Sequence, residues 1–346
     1  MSTATSTYKI QRAYELSAEF GIDSLKLQER PAAELKPNEV RVKVMYASLN
    51  YRDLLVIKGL YSKRLPFPLI PLSDGAGEVV EVGELVSRVQ VGDRVAGTFA
   101  QKWVGGSNCK EYADTALGGA VSGMLADYVV LHENGLVHIP AHLSYAQAAT
   151  LPCAAVTAWN GLISSGGLKP GETVLTLGTG GVSLFALQFA KMNGARVIIT
   201  SSSDEKLQRA KEMGADEIIN YKRQEDWSKA AIEMTAGVGV DHVVELGGAG
   251  TLEQSARAVK IGGHISLIGV LAAGSGFNPM PILMKNIRMQ GIYVGSRNMF
   301  EEMNKAISLH KLAPVIDKEF AFADVKEALK YMESGAHFGK IVIRVN

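Results

Sequence analysis

Along the front of the chain apolar and polar positions alternate in short runs. Between residues 40 and 95 they form pieces such as Val40-Arg41-Val42-Lys43-Val44 and Gly77-Glu78-Val79-Val80-Glu81-Val82-Gly83, broken by Gly and Pro. Closely spaced β-branched runs of this kind predict an antiparallel barrel or sandwich. Residues 98–124 are polar and Gly-rich with no period, and read as a long loop or lobe. At Ser144 the period changes. Ser144 and Gln147 form a capping-box pair, the helix they open has to stop near Pro152, and a second helix is expected over 153–164. Farther on, apolar β runs at 173–177, 196–200, 217–220, 241–245 and 264–268 alternate with helical segments at 183–192, 205–213, 225–235 and 252–258. That alternation predicts βαβ units: a doubly wound parallel sheet with helices on both faces. A helix over 323–333 and a strand over 340–345 close the chain. The fold class is therefore α/β, a β-rich part followed by a Rossmann-type part.

Length agrees with that division, since 346 residues make two domains at about 100–200 residues each. Lys and Arg number 36 against 35 Asp and Glu, without a basic run, which argues against nucleic acid or an anionic membrane as partner. Two cysteines, Cys109 and Cys153, exclude a disulfide framework or a four-cysteine zinc module and fit a reducing compartment. Residues 1–7 have neither the basic start nor the apolar centre of a signal peptide. The uncharged stretches 143–168 and 173–190 are broken by Gln147, Pro152 and Asn160, and by Gly178, Gly180 and Gly181, so neither reads as a bilayer span. A soluble, cytoplasmic protein is expected.

The strand Val174-Leu175-Thr176-Leu177 runs straight into Gly178-Thr179-Gly180-Gly181-Val182-Ser183 and an apolar helix. At the first strand-to-helix turn of a βαβ unit, this is the dinucleotide fingerprint. Gly178 permits the tight turn and Gly180 lets the backbone approach a pyrophosphate. Gly181 and Val182 complete the turn into the helix, whose N–H groups and dipole meet the anion. Ser183 stands where the fingerprint usually has a third small residue. An NAD site wants an acid at the end of the second strand, for the ribose 2′-OH. Here that strand ends Ile199-Thr200-Ser201-Ser202-Ser203, with no acid before Asp204. Ser202 and Glu205 suggest a capping box that puts Asp204 in the first helical turn. A carboxylate about 4 Å from a 2′-phosphate costs about 4 kcal/mol at a surface-like dielectric, whereas the hydroxyls of Ser201 and Ser202 and the nearby Lys206 favour it. The expected cofactor is NADP(H).

Taken with Leu151-Pro152-Cys153-Ala154-Ala155-Val156-Thr157-Ala158-Trp159 and a closing Phe338-Gly339-Lys340-Ile341-Val342, these motifs resemble the medium-chain dehydrogenase/reductase superfamily over nearly the whole chain. The resemblance implies a GroES-like catalytic domain over 1–156 with 296–346, and a Rossmann cofactor domain over 157–295. Alcohol dehydrogenases of that family bind catalytic zinc through a front Cys, a Gly-His-Glu His and a later Cys. The corresponding positions here read Asn50, Leu72-Ser73-Asp74 and Cys153, and Cys109 stands alone where four cysteines would hold structural zinc. Three good protein ligands are needed, so no zinc is expected. An improvised site from Asp53, Asp74 and Cys153 competes with the plainer reading of Cys153 as a small core residue.

Asn50-Tyr51-Arg52-Asp53 and the loop Gly59-Leu60-Tyr61 resemble the zinc-free quinone oxidoreductase branch. That resemblance implies NADPH-dependent reduction of quinones or other α,β-unsaturated carbonyls, with Asn50 and Tyr51 lining the substrate pocket. It places Thr157 near the nicotinamide, Lys206 and Tyr221 on the 2′-phosphate, and Gly269 and Val270 by the carboxamide. A quinone or enone spreads the charge left by an arriving hydride, so it asks less of the protein than a simple ketone does. An Asn50 amide or Tyr51 hydroxyl could hydrogen-bond the developing oxyanion. Two other readings stay open: an alcohol dehydrogenase with a degenerate zinc site, and a low-turnover NADPH-binding scaffold or sensor. A homodimer is implied by resemblance, with 287–294 as a candidate edge strand.

Overall fold

Alternating β-branched residues and 3.6-residue stripes resolve into two units in a computed structural model, which describes residues 10–62, 64–269, 271 and 276–346. One unit takes both chain ends, Met1–Cys153 with Ser296–Asn346; the other is Ala154–Gly295.

In the first unit a seven-stranded sheet is centred on the ten-residue strand Glu39–Ser48, which pairs antiparallel with Asp74–Val82, Tyr128–His132 and Lys340–Arg344. Arg94–Gly97 and Leu136–His138 extend it on one side, and Ile316–Ala321 pairs parallel with Lys340–Arg344 on the other. Inward positions of these strands, among them Val40, Val42, Val79, Val95, Leu131, Ile341 and Ile343, share one core with the helix Val325–Glu333. Elements beyond the alternation pattern include the hairpin Ile10–Glu15 with Lys26–Pro31, the strands Tyr128–His132, Leu136–His138 and Ile316–Ala321, and the helices Tyr51–Ile57 and Arg297–His310. The lobe expected over 98–124 is irregular except for the short helix Lys110–Ala113.

In the second unit six parallel strands stand in the order Glu217–Asn220, Arg196–Ser201, Thr173–Leu177, Val240–Glu245, Val259–Leu267, Arg288–Gly291. The first strand in the chain lies third, and the chain runs outward from it in both directions, which is the doubly wound Rossmann arrangement. The helices Gly181–Met192, Asp204–Glu212, Trp227–Met234 and Leu252–Ala258 make the crossovers. One strand is longer than its pattern suggested: Val259–Leu267 begins five residues before His264. Its entry carries Lys260 and the Gly262-Gly263 pair, whose polarity hid the extension. The Ser144-capped helix Tyr145–Ala148 stops before Pro152. The segment after it opens on a π turn, Leu151–Ala155, that includes the proline, and continues as Val156–Trp159 and the π turn Asn160–Ser164. A proline in a first turn removes an N–H that has no intrahelical partner anyway.

Candidate active-site elements

The strand Thr173–Leu177 gives way to Gly178, whose φ of 78° lies in the left-handed region. Gly180 then precedes the helix Gly181–Met192, and a Cβ on Gly180 would meet nothing within 4 Å. The space beside the backbone is therefore open, as close approach of a pyrophosphate requires. Gly181 and Val182 contribute first-turn N–H groups at the positive end of the helix dipole. Ser183 is buried and donates from Oγ to the Leu177 carbonyl at 2.7 Å, tying helix start to strand end. Thr200 Oγ1 accepts from the Gly178 N–H at 3.3 Å.

At the end of the neighbouring strands, Ser201 lies opposite Asn220, and the Tyr221 N–H donates to the Ser201 carbonyl at 3.1 Å. The Tyr221 ring is exposed. The helix Asp204–Glu212 is capped by Ser203, whose Oγ accepts from the Lys206 N–H at 3.3 Å, and not by Ser202. The strand runs on through Ser201, and Ser201 Oγ accepts the Ser203 N–H at 3.3 Å, so Ser203 is the last extended residue and takes the cap. Asp204 is thus the first helical residue, and its carboxylate is occupied. It pairs with Arg223 and accepts from Asn220 Nδ2 at 2.7 Å. Arg223 escaped the sequence argument, although it stands only two residues beyond Tyr221.

Thr157 is buried within Val156–Trp159. Gly269 follows the strand Val259–Leu267, and a Cβ there would lie 1.8 Å from the Leu246 carbonyl oxygen, so no side chain fits. Val270 lies outside the described residues. Gly178, Ser201, Tyr221 and Gly269 all stand at carboxyl ends of parallel strands, where open α/β sheets bind ligands. These residues fit a dinucleotide.

The first unit holds a second set of functional groups, nearly all buried. Asn50 precedes the helix Tyr51–Ile57, and its N–H donates to the Asp53 carboxylate at 2.8 Å. Its side-chain oxygen accepts from Lys340 Nζ at 2.6 Å, and the same ammonium donates to the Leu49 carbonyl at 2.6 Å. Asn50 Nδ2 reaches Ser73 Oγ at 3.5 Å; Ser73 donates to Asp74 at 2.7 Å, and the Cys153 N–H donates to Asp74 at 3.1 Å. Arg52 pairs with Asp53 at 3.1 Å, donates to the Leu117 and Gly118 carbonyls, and lies 4.7 Å over the Phe99 ring. Asn50, Asp53, Ser73, Asp74 and Lys340 are buried, while Tyr51 is 43% exposed at the helix start. Burial pushes the Asp53 and Asp74 carboxyls up from their ordinary range; the Arg52 guanidinium and the Lys340 ammonium, respectively, are the largest opposing influences. Burial, and then the Asp74 charge, push the Cys153 thiol far above its ordinary value. Lys340 is the second residue that sequence reasoning missed.

Known proteins resemble this chain along its length. An alcohol dehydrogenase GroES-like domain model matches residues 36–141, and a zinc-binding dehydrogenase model matches residues 181–309. A zinc-type alcohol dehydrogenase-like protein of Schizosaccharomyces pombe is 47% identical over 335 residues, covering 94% of this chain and 96% of its own. The chain belongs to the medium-chain dehydrogenase/reductase superfamily. A 2-methylene-furan-3-one reductase of Solanum lycopersicum is 31% identical, covering 99% of this chain and 81% of its own. A crystal structure named as an alcohol dehydrogenase, from Sinorhizobium meliloti 1021, superposes with a TM-score of 0.91 at 43% identity, covering 98% of this chain and all of its own. This member of the superfamily is an NAD(P)H-dependent oxidoreductase.

The zinc that this superfamily's alcohol dehydrogenases use does not fit the donors present. The positions that correspond to metal ligands supply an amide, a hydroxyl and a single thiol, where three good ligands are needed. The one oxygen of the Asn50 amide is taken by an ammonium, and both Asp74 oxygens accept hydrogen bonds. Among the described residues, no group of three or more His, Cys, Asp and Glu is arranged to hold a metal ion.

Proposed function

We propose that this oxidoreductase is an NADPH-dependent, zinc-independent reductase of quinones or α,β-unsaturated carbonyls. The observation that carries the reading is the buried ammonium of Lys340 on Asn50, where a metal enzyme of the superfamily would keep a thiolate. The choice of NADPH rests on the 2′-phosphate end: the nearest acid, Asp204, is covered by Arg223 and Asn220, and Ser201, Ser202, Lys206 and Tyr221 surround the same strand ends.

When bound, NADPH supplies a hydride. The chain's own part is to hold the acceptor and to meet the negative charge that develops on it. With Oδ1 bonded to Lys340, the Asn50 amide has only N–H groups left to offer, which are donors suited to an oxyanion. Tyr51, whose hydroxyl stands exposed beside it, is the proton source in this reading. A conjugated acceptor delocalises the incoming charge, so an amide donor suffices where a simple ketone would need a Lewis acid. The relative named as a 2-methylene-furan-3-one reductase acts on a ketone of that kind, which supports the assignment.

The test is NADPH consumption by chelator-treated protein, offered quinones, enones and simple aldehydes in parallel. Turnover of the conjugated acceptors alone is expected; an inactive protein that regains aldehyde turnover with zinc would overturn the reading. We further propose a cytoplasmic homodimer that pairs through Arg288–Gly291, the outer strand of the six-stranded sheet, and light scattering on the eluted protein decides its size.

A further inference from the structure

We infer that Lys340 is a positioning residue for Asn50, and that it decides which edge of the amide is offered to the acceptor. An amide side chain has a donor edge and an acceptor edge of nearly the same shape, so something must choose between them. An ammonium can only donate. Lys340 Nζ lies 2.6 Å from Asn50 Oδ1 and 2.6 Å from the Leu49 carbonyl, so two of its protons are spent on consecutive residues. The acceptor edge is thereby fixed inward and Nδ2 is turned toward Ser73.

The rest of the cluster holds that choice in place. Ser73 gives its proton to Asp74, which leaves the Ser73 oxygen to accept from Asn50 Nδ2. Asp74 is held in turn by the Cys153 N–H. The Asn50 backbone is pinned by Asp53, itself paired with Arg52. The Asn50 side chain also bonds the Asp74 carboxyl, so the whole donor edge faces this chain, and an acceptor oxygen has to meet Nδ2 there. Arg52 and Lys340 balance Asp53 and Asp74, so the buried set is neutral overall. Lys340 starts the last strand of the sheet, Lys340–Arg344, beside the strand Glu39–Ser48 that leads into Asn50, and so the two ends of the chain meet at this amide.

This inference rests on the proposal that Asn50 touches the acceptor, and a double-mutant cycle separates the two. Asn50→Leu, Lys340→Met and their combination are compared with wild type for kcat and KM on one quinone. Asn50→Leu is expected to lower kcat by about tenfold or more, and Lys340→Met by a similar factor with KM little changed. In the Asn50→Leu background, Lys340→Met should cost less than about twofold, because the group it positions is gone. Full activity of Asn50→Leu would overturn both readings. A large loss in Asn50→Leu with additive losses in the combination would overturn the positioning role alone.

Removal of a buried ammonium between two carboxyls can unfold the domain, so Asn50→Asp supplies a second measurement. That variant keeps an oxygen partner for Lys340 and adds no bulk, but replaces the N–H donor with an acceptor. A drop in kcat of about tenfold or more is expected in protein that circular dichroism shows to be folded; retained kcat would show that the donor edge is not what the site uses, and would overturn the inference.

Discussion

Acid should destabilise this molecule in part through His264. The residue lies on the strand Val259–Leu267 and is 2% exposed. Its Nδ1 accepts from Arg288 Nε at 2.9 Å, so the neutral ring carries its proton on Nε2, which has no hydrogen-bond partner among the described residues. A proton added at Nδ1 would break the bond to Arg288 and set a second cation against the guanidinium. The His242 ring, 5.8 Å away between centroids, is bonded to Glu172, and burial holds its pKa low as well. Burial, followed by the Arg288 and His242 charges, lowers His264 from 6.5 to about 4. Below about pH 6.5 the unfolded chain therefore binds a proton that the folded chain refuses until about pH 4. Stability is complete above that window and is lost as pH falls through it, at about 1.4 kcal/mol for each pH unit, or about 3 kcal/mol in all. His264→Asn keeps an oxygen acceptor for Arg288 and cannot titrate. Urea unfolding, followed through Trp159 and Trp227 of the same unit, should show wild type losing about 2.5 kcal/mol more than the variant between about pH 7.5 and 4.5. Carboxylates such as Asp216, held low by Lys191, titrate in both proteins and cancel. Parallel loss in the two proteins would refute the reasoning.

Lys206→Glu should weaken NADPH by about tenfold or more while sparing NADH; equal loss of both, by fluorescence titration, would remove Lys206 from the 2′-phosphate site. Gly180→Ala should lower the melting temperature by no more than a few degrees, the cost of a poorer helix N-cap, because φ −80° and ψ −174° suit any residue and the new methyl touches nothing. The same variant should weaken NADPH and NADH alike, since the methyl fills the space kept for their common pyrophosphate, and retained affinity would refute that use of the space.

What the sequence made legible was what short-range pattern encodes. The glycine turn, its helix and the flanking strands are set by residues within a few positions of one another, so Gly178, Gly180 and Ser201 could be placed at the carboxyl edge of the parallel sheet from pattern alone. The cap was one residue out because three consecutive serines are chemically equivalent, and only the register opposite Asn220 shows that the strand includes Ser201. Lys340 was invisible for a different reason. Its partner Asn50 is 290 residues away, and a lysine at the start of a strand ordinarily points to solvent. The fold alone brings them together. Arg223 lay between these cases: its neighbour Tyr221 drew notice, but its pairing with Asp204 depends on two strand ends meeting in space. The helix Arg297–His310 did carry a local signal, a Ser296 cap followed by Phe300, Met303 and Ile307 on one buried stripe.

The two sets of functional groups differ in exposure, and that difference has a measurable consequence. The charges around the proposed 2′-phosphate end stand partly in water: Lys206 is half-buried, Tyr221 is 41% exposed, and the Arg223 side chain beside Asp204 is 73% exposed. Asn50 and Lys340 are 8% and 3% exposed. Salt shortens the reach of exposed charges, from about 10 Å at 0.1 M to about 3 Å at 1 M, and leaves buried pairs nearly untouched. Between about 0.05 and 1 M sodium chloride, KM for NADPH should therefore rise by about tenfold. KM for NADH, which lacks the 2′-phosphate, should move much less. At saturating NADPH, kcat on a quinone should hold within about twofold, because the Asn50 amide and its ammonium are shielded by the protein. Steady-state kinetics at four salt concentrations are enough to separate the two parameters. A fall in kcat that keeps step with the rise in KM would mean that the oxyanion is met by a solvent-exposed charge. The donor would then have to be sought outside the buried cluster.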